Sequence, residues 1–262
     1  MKITGTIIHT IFKCISVALA VLLISAEKTS CDSQKSTSLF SYTGNLTTPS
    51  AYITDAKLNF SYSYFSMSFP INENISKKKS EIWAFTANLG LFPFLECFIT
   101  VNVQPSYNIN HQIPNYGADK WRSSGIKIKI LKENKSFPAL AIGVTDPNIH
   151  KLGAKISSPD ISSSYFVISK GIGTGNNSFS FGYGSDYFSK NTKSLRLNGF
   201  FCGFNIKAHE NLSILCDYDG KLWNGGFNIN VKKIHLMVSY TEGNYLASRI
   251  GYGFNLLNKN RI

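Results

Sequence analysis

From about residue 57 to the C-terminal region, apolar residues return at every second position, and that period demands strands with two chemically different faces. Ile126, Ile128 and Ile130 alternate with Lys127 and Lys129. Leu95, Cys97, Ile99, Val101 and Val103 oppose Glu96, Phe98, Thr100, Asn102 and Gln104. Phe179, Phe181 and Tyr183 oppose Ser178, Ser180, Gly182 and Gly184, while Ile234, Leu236, Val238 and Tyr240 oppose Lys233, His235, Met237 and Ser239. No comparably long stretch repeats at the helical period, so this part of the chain reads as all-β.

The alternation predicts about twelve strands, near 57–66, 81–89, 94–104, 124–132, 137–145, 162–170, 177–184, 196–206, 211–218, 222–230, 232–241 and 244–256. Many reach the roughly nine to eleven residues of a tilted membrane-crossing strand, longer than the five or six usual in a soluble sandwich. Between the first eight strands, long links (67–80, 105–123, 146–161, 185–195) alternate with short ones (90–93, 133–136, 171–176, 207–210). An outer-membrane barrel has long external loops and short periplasmic turns, and a sandwich has no reason to keep that parity. The expected fold is therefore a single antiparallel outer-membrane β-barrel over residues 53–262. A secreted soluble β-sandwich is the alternative architecture.

The N-terminus supports export. Lys2 and Lys13 precede an apolar stretch from Cys14 to Ile24, followed by Ser25 and Ala26, the pattern of a signal peptide over residues 1–26 cleaved after Ala26. A lipoprotein signal acylated at Cys31 is the rival, with small Thr29 and Ser30 in its favour and Lys28 against it. Residues 27–52 then form a periplasmic N-terminal segment. The expected destination is the outer membrane of a Gram-negative bacterium, with its lipid as the immediate partner. Aromatic residues make up 13% of the chain and charged ones 16%, too aromatic for disorder and too sparsely charged for a coiled coil. The net charge of +12 does not indicate nucleic acid, because a signal peptide directs the chain away from it. The cysteines show no metal-ligand spacing, and neither a metal nor another cofactor is expected.

In the last strand Leu246, Ser248, Ile250, Tyr252, Phe254 and Leu256 share one face, and Ala247, Arg249, Gly251, Gly253 and Asn255 the other. Arg249, Gly251, Phe254 and Leu256 also fit the C-terminal pattern read by barrel-assembly machinery: polar, x, Gly, x, x, aromatic, x, hydrophobic.

Several segments, in order, resemble the YjbH family of outer-membrane exopolysaccharide-biosynthesis proteins. Residues 44–51, with Gly44, Thr48, Pro49 and Ala51, resemble its N-terminal G-x-x-x-T-P-[ST]-A signature. Trp121-Arg122-Ser123 leading into residues 126–133 follows. Residues 137–146, with Pro138 and Asp146, resemble its P-A-[LI]-A-x-G-x-x-D strand, and residues 165–170, ending in Lys170, its Y-x-V-x-S-K. Residues 199–204 and 217–220 resemble its paired strands near the end. The resemblance spans 44–230 and implies a barrel acting with the proteins that make or export surface polysaccharide. It implies no catalytic residue. Asn205, and Cys216 before Asp217, stand where acidic residues are usual in the family.

Lys127, Lys129, Lys170 and Arg249 are the basic candidates for the inward face, where they would either attract an anionic polysaccharide or only solvate the interior. Tyr62, Tyr64, Trp83, Tyr183 and Tyr252 are candidate membrane-interface aromatics. His111, His150, His209 and His235 would serve a barrel hydrolase, but no nucleophile signature accompanies them, and no enzyme is expected. Lys77, Lys78 and Lys79 are placed in an external loop, and residues 171–175 form a turn rather than a phosphate loop. The expected function is accessory to exopolysaccharide biosynthesis or export, by forming or supporting a passage. A general diffusion pore or structural barrel is the alternative.

Overall fold

A computed structural model describes residues 37–39, 42–54, 56–69, 78–107, 114–146, 162–173, 177–185, 197–241 and 245–256. Twelve strands run through them: β1 (Lys57–Phe69), β2 (Lys78–Phe92), β3 (Leu95–Tyr107), β4 (Pro114–Leu131), β5 (Ala139–Thr145), β6 (Ser163–Ile172), β7 (Asn177–Ser185), β8 (Gly199–His209), β9 (Leu212–Tyr218), β10 (Trp223–Val231), β11 (Ile234–Thr241) and β12 (Tyr245–Asn255). Each strand pairs antiparallel with its sequence neighbours, and β1 pairs with β12 through Phe60↔Tyr252 and Ser63↔Arg249. The sheet is a closed barrel with no free edge.

The alternation read from the sequence sorts side chains to the two faces. Every strand leaves a large apolar residue on the outer surface: Phe60, Phe85, Ile99, Ile126, Ile142, Phe166, Tyr183, Phe200, Ile214, Phe227, Leu236 and Ile250, in strand order. Water is a poor solvent for such a continuous belt and hydrocarbon a good one. Outer-face aromatic rings meet across strands, as Phe60 with Phe254 at 6.0 Å and Tyr62 with Phe85 at 5.2 Å between centroids. Much of the inner face is polar or small, with Ser61, Asn88, Thr100, Ser123, Ala141, Ser180, Asn228 and Ala247 all buried, and the large apolar residues Phe65, Ile82, Phe98, Tyr165, Phe201, Leu215 and Met237 are buried on it as well.

Four strand ends extend past the sequence boundaries. Into the links read as 67–80 and 105–123, β1 reaches Phe69, β2 starts at Lys78, β3 reaches Tyr107 and β4 starts at Pro114. Backbone pairing continues there after the apolar alternation has stopped. Lys78 and Lys79 consequently belong to β2 rather than to a loop. The links after even-numbered strands remain the shorter set, down to the two-residue turns at 93–94, 210–211 and 232–233.

The larger difference concerns the segment before β1. Residues 27–52 read as a periplasmic lead-in, yet its described part lies inside the barrel, with Leu39, Tyr42, Leu46, Ala51 and Tyr52 buried among inward side chains. The signal peptide and Cys31 lie outside the described residues.

Candidate functional site

The described residues 37–39 and 42–54 fold back on themselves as a compact plug. Thr37 and Thr43 form an antiparallel bridge, and so do Gly44 and Pro49. Within this double turn Leu39 N–H donates to the Leu46 carbonyl at 2.8 Å, Asn45 N–H to Thr48 at 2.9 Å and Ser50 N–H to Thr43 at 3.1 Å. The Tyr42 hydroxyl donates to the Thr47 carbonyl. Gly44 is required by space: a β-carbon there would sit 2.2 Å from the Thr48 carbonyl oxygen and 2.9 Å from Pro49 Cα.

The plug packs apolar residues to two sides. Tyr42, Ala51 and Tyr52 join Phe98, Ala139, Ala141, Tyr165, Val167, Leu197 and Phe201. Leu39 and Leu46 join Phe65, Ile82, Ala84, Leu215, Met237 and Ala247. The Tyr42 ring meets Phe98 edge-on at 5.6 Å. Burying these groups between plug and wall supplies the non-directional part of the attachment.

Directional attachment comes mainly from charged groups of the barrel turned to the plug, most of them to its backbone. Asp217 of β9 accepts from Thr47 N–H at 2.7 Å, Thr48 N–H at 3.0 Å, and the Thr47 and Thr48 hydroxyls at 2.9 and 3.2 Å. Asn224 Nδ2 adds a fifth donor at 3.0 Å. Glu96 of β3 accepts from Thr43 N–H at 2.8 Å and Thr54 N–H at 3.0 Å, and from the Thr43 hydroxyl. Lys127 of β4 donates to the Thr43 carbonyl at 2.8 Å while pairing with Glu96 at 3.4 Å. Arg249 of β12 donates to the carbonyls of Thr37 and Ser38. Ser169 Oγ accepts Ala51 N–H at 2.7 Å, and the Tyr52 hydroxyl donates to Glu133 at 2.6 Å. Charge-assisted bonds of this kind are the strong ones, and a plug backbone without them would bury unpaired donors and acceptors.

The residues singled out from the sequence divide accordingly. Lys127 and Arg249 point inward and hold the plug, and Lys129 shares their inward parity and is half-buried. Lys170 does not face the lumen. The inward residues of β6 are Tyr165, Val167, Ser169 and Gly171, so Lys170 leaves on the outer side, in register with Phe179. Its ammonium reaches the rim, donating to the carbonyls of Asn134 at 2.7 Å and Lys135 at 3.2 Å beside Glu133 at 3.6 Å. The motif residues Gly44, Thr48, Pro49 and Ala51 form the plug. Pro138 precedes β5, and Asp146 ends it at a positive φ of 47° with its N–H on the Ser124 carbonyl.

Gly251 faces inward, and Phe254 and Leu256 are exposed at the end of β12. Tyr62, Tyr183 and Tyr252 are exposed on the outer face, and Tyr64 and Trp83 pair across β1 and β2 with the same parity. His111 and His150 lie outside the described residues, and His209 is exposed at the end of β8. His235 Nδ1 pairs with Asn230 Oδ1 at 2.6 Å, while Ser239 Oγ has no partner among the described residues, so no His–Ser dyad forms there. Asn205 is buried on the inner face of β8, and Cys216 is half-buried with outer-face parity in β9.

Sequence reading missed Asp217, Glu96 and Glu133 as anchors. A signal for two of them was present: in strands whose inward residues are otherwise uncharged or basic, an inward carboxylate requires a partner, and the unpaired backbone of a Gly-x-x-x-Thr-Pro turn can supply it.

A family model described as "Exopolysaccharide biosynthesis protein YbjH" matches residues 36–224, which include the plug and most of the barrel. No curated protein matches. Among solved structures, outer membrane phospholipase A from Escherichia coli matches at 10% identity over 79% of this chain and 99% of its own, with a TM-score of 0.40. The attachment invasion locus protein Ail of Yersinia pestis, solved with the heparin analogue sucrose octasulfate, matches at 9% identity over 77% of this chain and 100% of its own, with a TM-score of 0.25.

Proposed function

Because the chain belongs to the YjbH family of exopolysaccharide-biosynthesis proteins, we propose that it is a plugged outer-membrane barrel, accessory to exopolysaccharide biosynthesis or export and not itself an enzyme. The observation that carries this reading is the occupied lumen: Asp217, Glu96, Lys127 and Arg249 are spent on plug backbone rather than left to line an open channel. The apolar belt supports insertion in a membrane, and a signal peptide over residues 1–26 would deliver the chain there. The short links then face the periplasm. Arg249, Gly251, Phe254 and Leu256 serve as the signal for barrel-assembly machinery, so Arg249 carries two tasks.

A plugged barrel contributes to polymer export in one of two states. Closed, it is a fixture on which export proteins assemble; with residues 37–54 withdrawn, it is a passage. A general diffusion pore needs a standing opening, and the plug argues against it. Purified protein in a planar bilayer is expected to be silent at low voltage, while migrating faster on a gel unboiled than boiled, because a closed sheet resists detergent. Steady conductance from the wild type would move the assignment to a diffusion pore. Absence of a mobility shift, with the protein in the soluble fraction, would remove the membrane reading altogether. In cells, loss of the protein is expected to lower surface polysaccharide.

A further inference from the structure

The rim that carries the short links is built from lysine and exposed aromatic residues. Lys132 and Lys135 lie in the β4–β5 link, Lys207 near the end of β8, and Lys232 and Lys233 make up the β10–β11 turn; all are exposed. Among the described residues at this end the only exposed carboxylate is Glu210, because Glu133 is turned inward to Tyr52 and the Gly171 N–H. Each lysine group adjoins the edge of the apolar belt: Leu131 precedes Lys132, Ile206 precedes Lys207, and Val231 and Ile234 flank the Lys232–Lys233 turn, all four apolar side chains exposed. At the same level Phe92 and Phe94 stack at 5.5 Å, exposed to the surroundings of the β2–β3 turn. Lys232 holds its place at a φ of 54°, where glycine or asparagine is easier.

We propose that this lysine rim binds the headgroups of anionic phospholipids in the leaflet that meets the short links. Three things point to lipid rather than to a soluble anion. The lysines are spread around the barrel over two links and the end of β8, they stand where the belt gives way to polar surface, and exposed phenylalanines accompany them at that height. A lysine stem there lies along hydrocarbon while its ammonium reaches the phosphate layer. Near an anionic membrane surface each such charge is worth about 1 kcal/mol, roughly fivefold in local association. The proposal rests on the barrel being in a membrane.

The test is boundary-lipid selectivity of the full chain in bilayers, read from the immobilised fraction of spin-labelled phosphatidylglycerol against spin-labelled phosphatidylcholine. The wild type is expected to favour phosphatidylglycerol several-fold at low salt, roughly fivefold in the simplest case, and to lose most of that preference near 1 M salt, where the screening length shrinks to about 3 Å. The quadruple variant Lys135→Gln, Lys207→Gln, Lys232→Gln, Lys233→Gln is expected to bring the ratio close to one, with the unboiled gel shift retained as proof of a closed barrel. Substituting the same four by Glu should make the ratio fall below one. Equal association of both lipids with the wild type, or a preference that survives the quadruple Gln substitution, would overturn the proposal while leaving the membrane barrel intact. Failure to immobilise either lipid would instead remove the membrane reading. Binding of a soluble polyuronate to wild-type barrels in neutral lipid, lost in the variant and unaccompanied by phosphatidylglycerol preference, would reassign the rim to polysaccharide and overturn the lipid proposal.

Discussion

Replacing Asp217 by Ala isolates what holds the plug. The carboxylate is fully buried and accepts two plug backbone N–H groups, two plug hydroxyls and the Asn224 amide. The hydroxyls and Asn224 can turn to other partners, and Asn224 already reaches Thr47 Oγ1 at 3.1 Å. The N–H groups of Thr47 and Thr48 cannot turn. Each buried donor left unpaired costs about 1–3 kcal/mol, so docking of the 44–50 turn should weaken by about 2–6 kcal/mol. At 1.4 kcal/mol per factor of ten, that raises the local opening equilibrium by roughly 30-fold to 2 × 10⁴-fold. The assay is hydrogen–deuterium exchange on the refolded protein in detergent, followed in peptides covering residues 42–50. Exchange there should rise while the strands β1–β7 keep their protection. Asp217→Asn, which retains the volume and one acceptor oxygen, should give a smaller rise. Unchanged exchange in 42–50 would refute the anchoring role. A rise of the same size throughout β8, β9 and β10 would show that Asp217 holds the wall rather than the plug.

Three further substitutions separate the parts. Gly203→Ala puts a β-carbon 1.9 Å from Asn45 Nδ2 and 2.9 Å from Thr48 Oγ1, so it should loosen the plug by hydrogen exchange while the unboiled gel shift persists. Phe254→Ser should lower the heat-modifiable fraction recovered from cells, yet leave exchange of residues 42–50 unaltered in the protein that does fold; loss of plug protection would mean the C-terminal pattern acts through the lumen. His235→Ala removes one hydrogen bond to Asn230, worth about 1 kcal/mol, and should leave surface polysaccharide yield unchanged in a complementation assay. A collapse in yield with the barrel still folded would restore the hydrolase reading.

The barrel was legible because its solvent is divided. One face of every strand meets an apolar belt and the other a polar interior, so Ile126, Ile128 and Ile130 against Lys127 announce the strand and its orientation together. Alternation did not mark the extended strand ends, where pairing continues without it, and it misplaced Lys170 by one position because Tyr165 and Val167 face inward despite being apolar. That inversion has a cause outside the strand: the plug makes the lumen partly a core.

What the sequence determined alone was thus every feature governed by neighbours in the chain: strand period, strand count and the parity of link lengths. What only the tertiary structure decided was that the Gly44–Thr48–Pro49 segment ahead of the barrel turns back into it, and what the inward charges do. Asp217 lies 170 residues from Thr47 and Arg249 lies 212 from Thr37, and no local pattern records a bond across such separations. Closing β1 onto β12 brings the walls around residues 37–54, and in that dry space an unpaired backbone donor costs more than in water. Burial is what turns scattered lumenal charges into anchors.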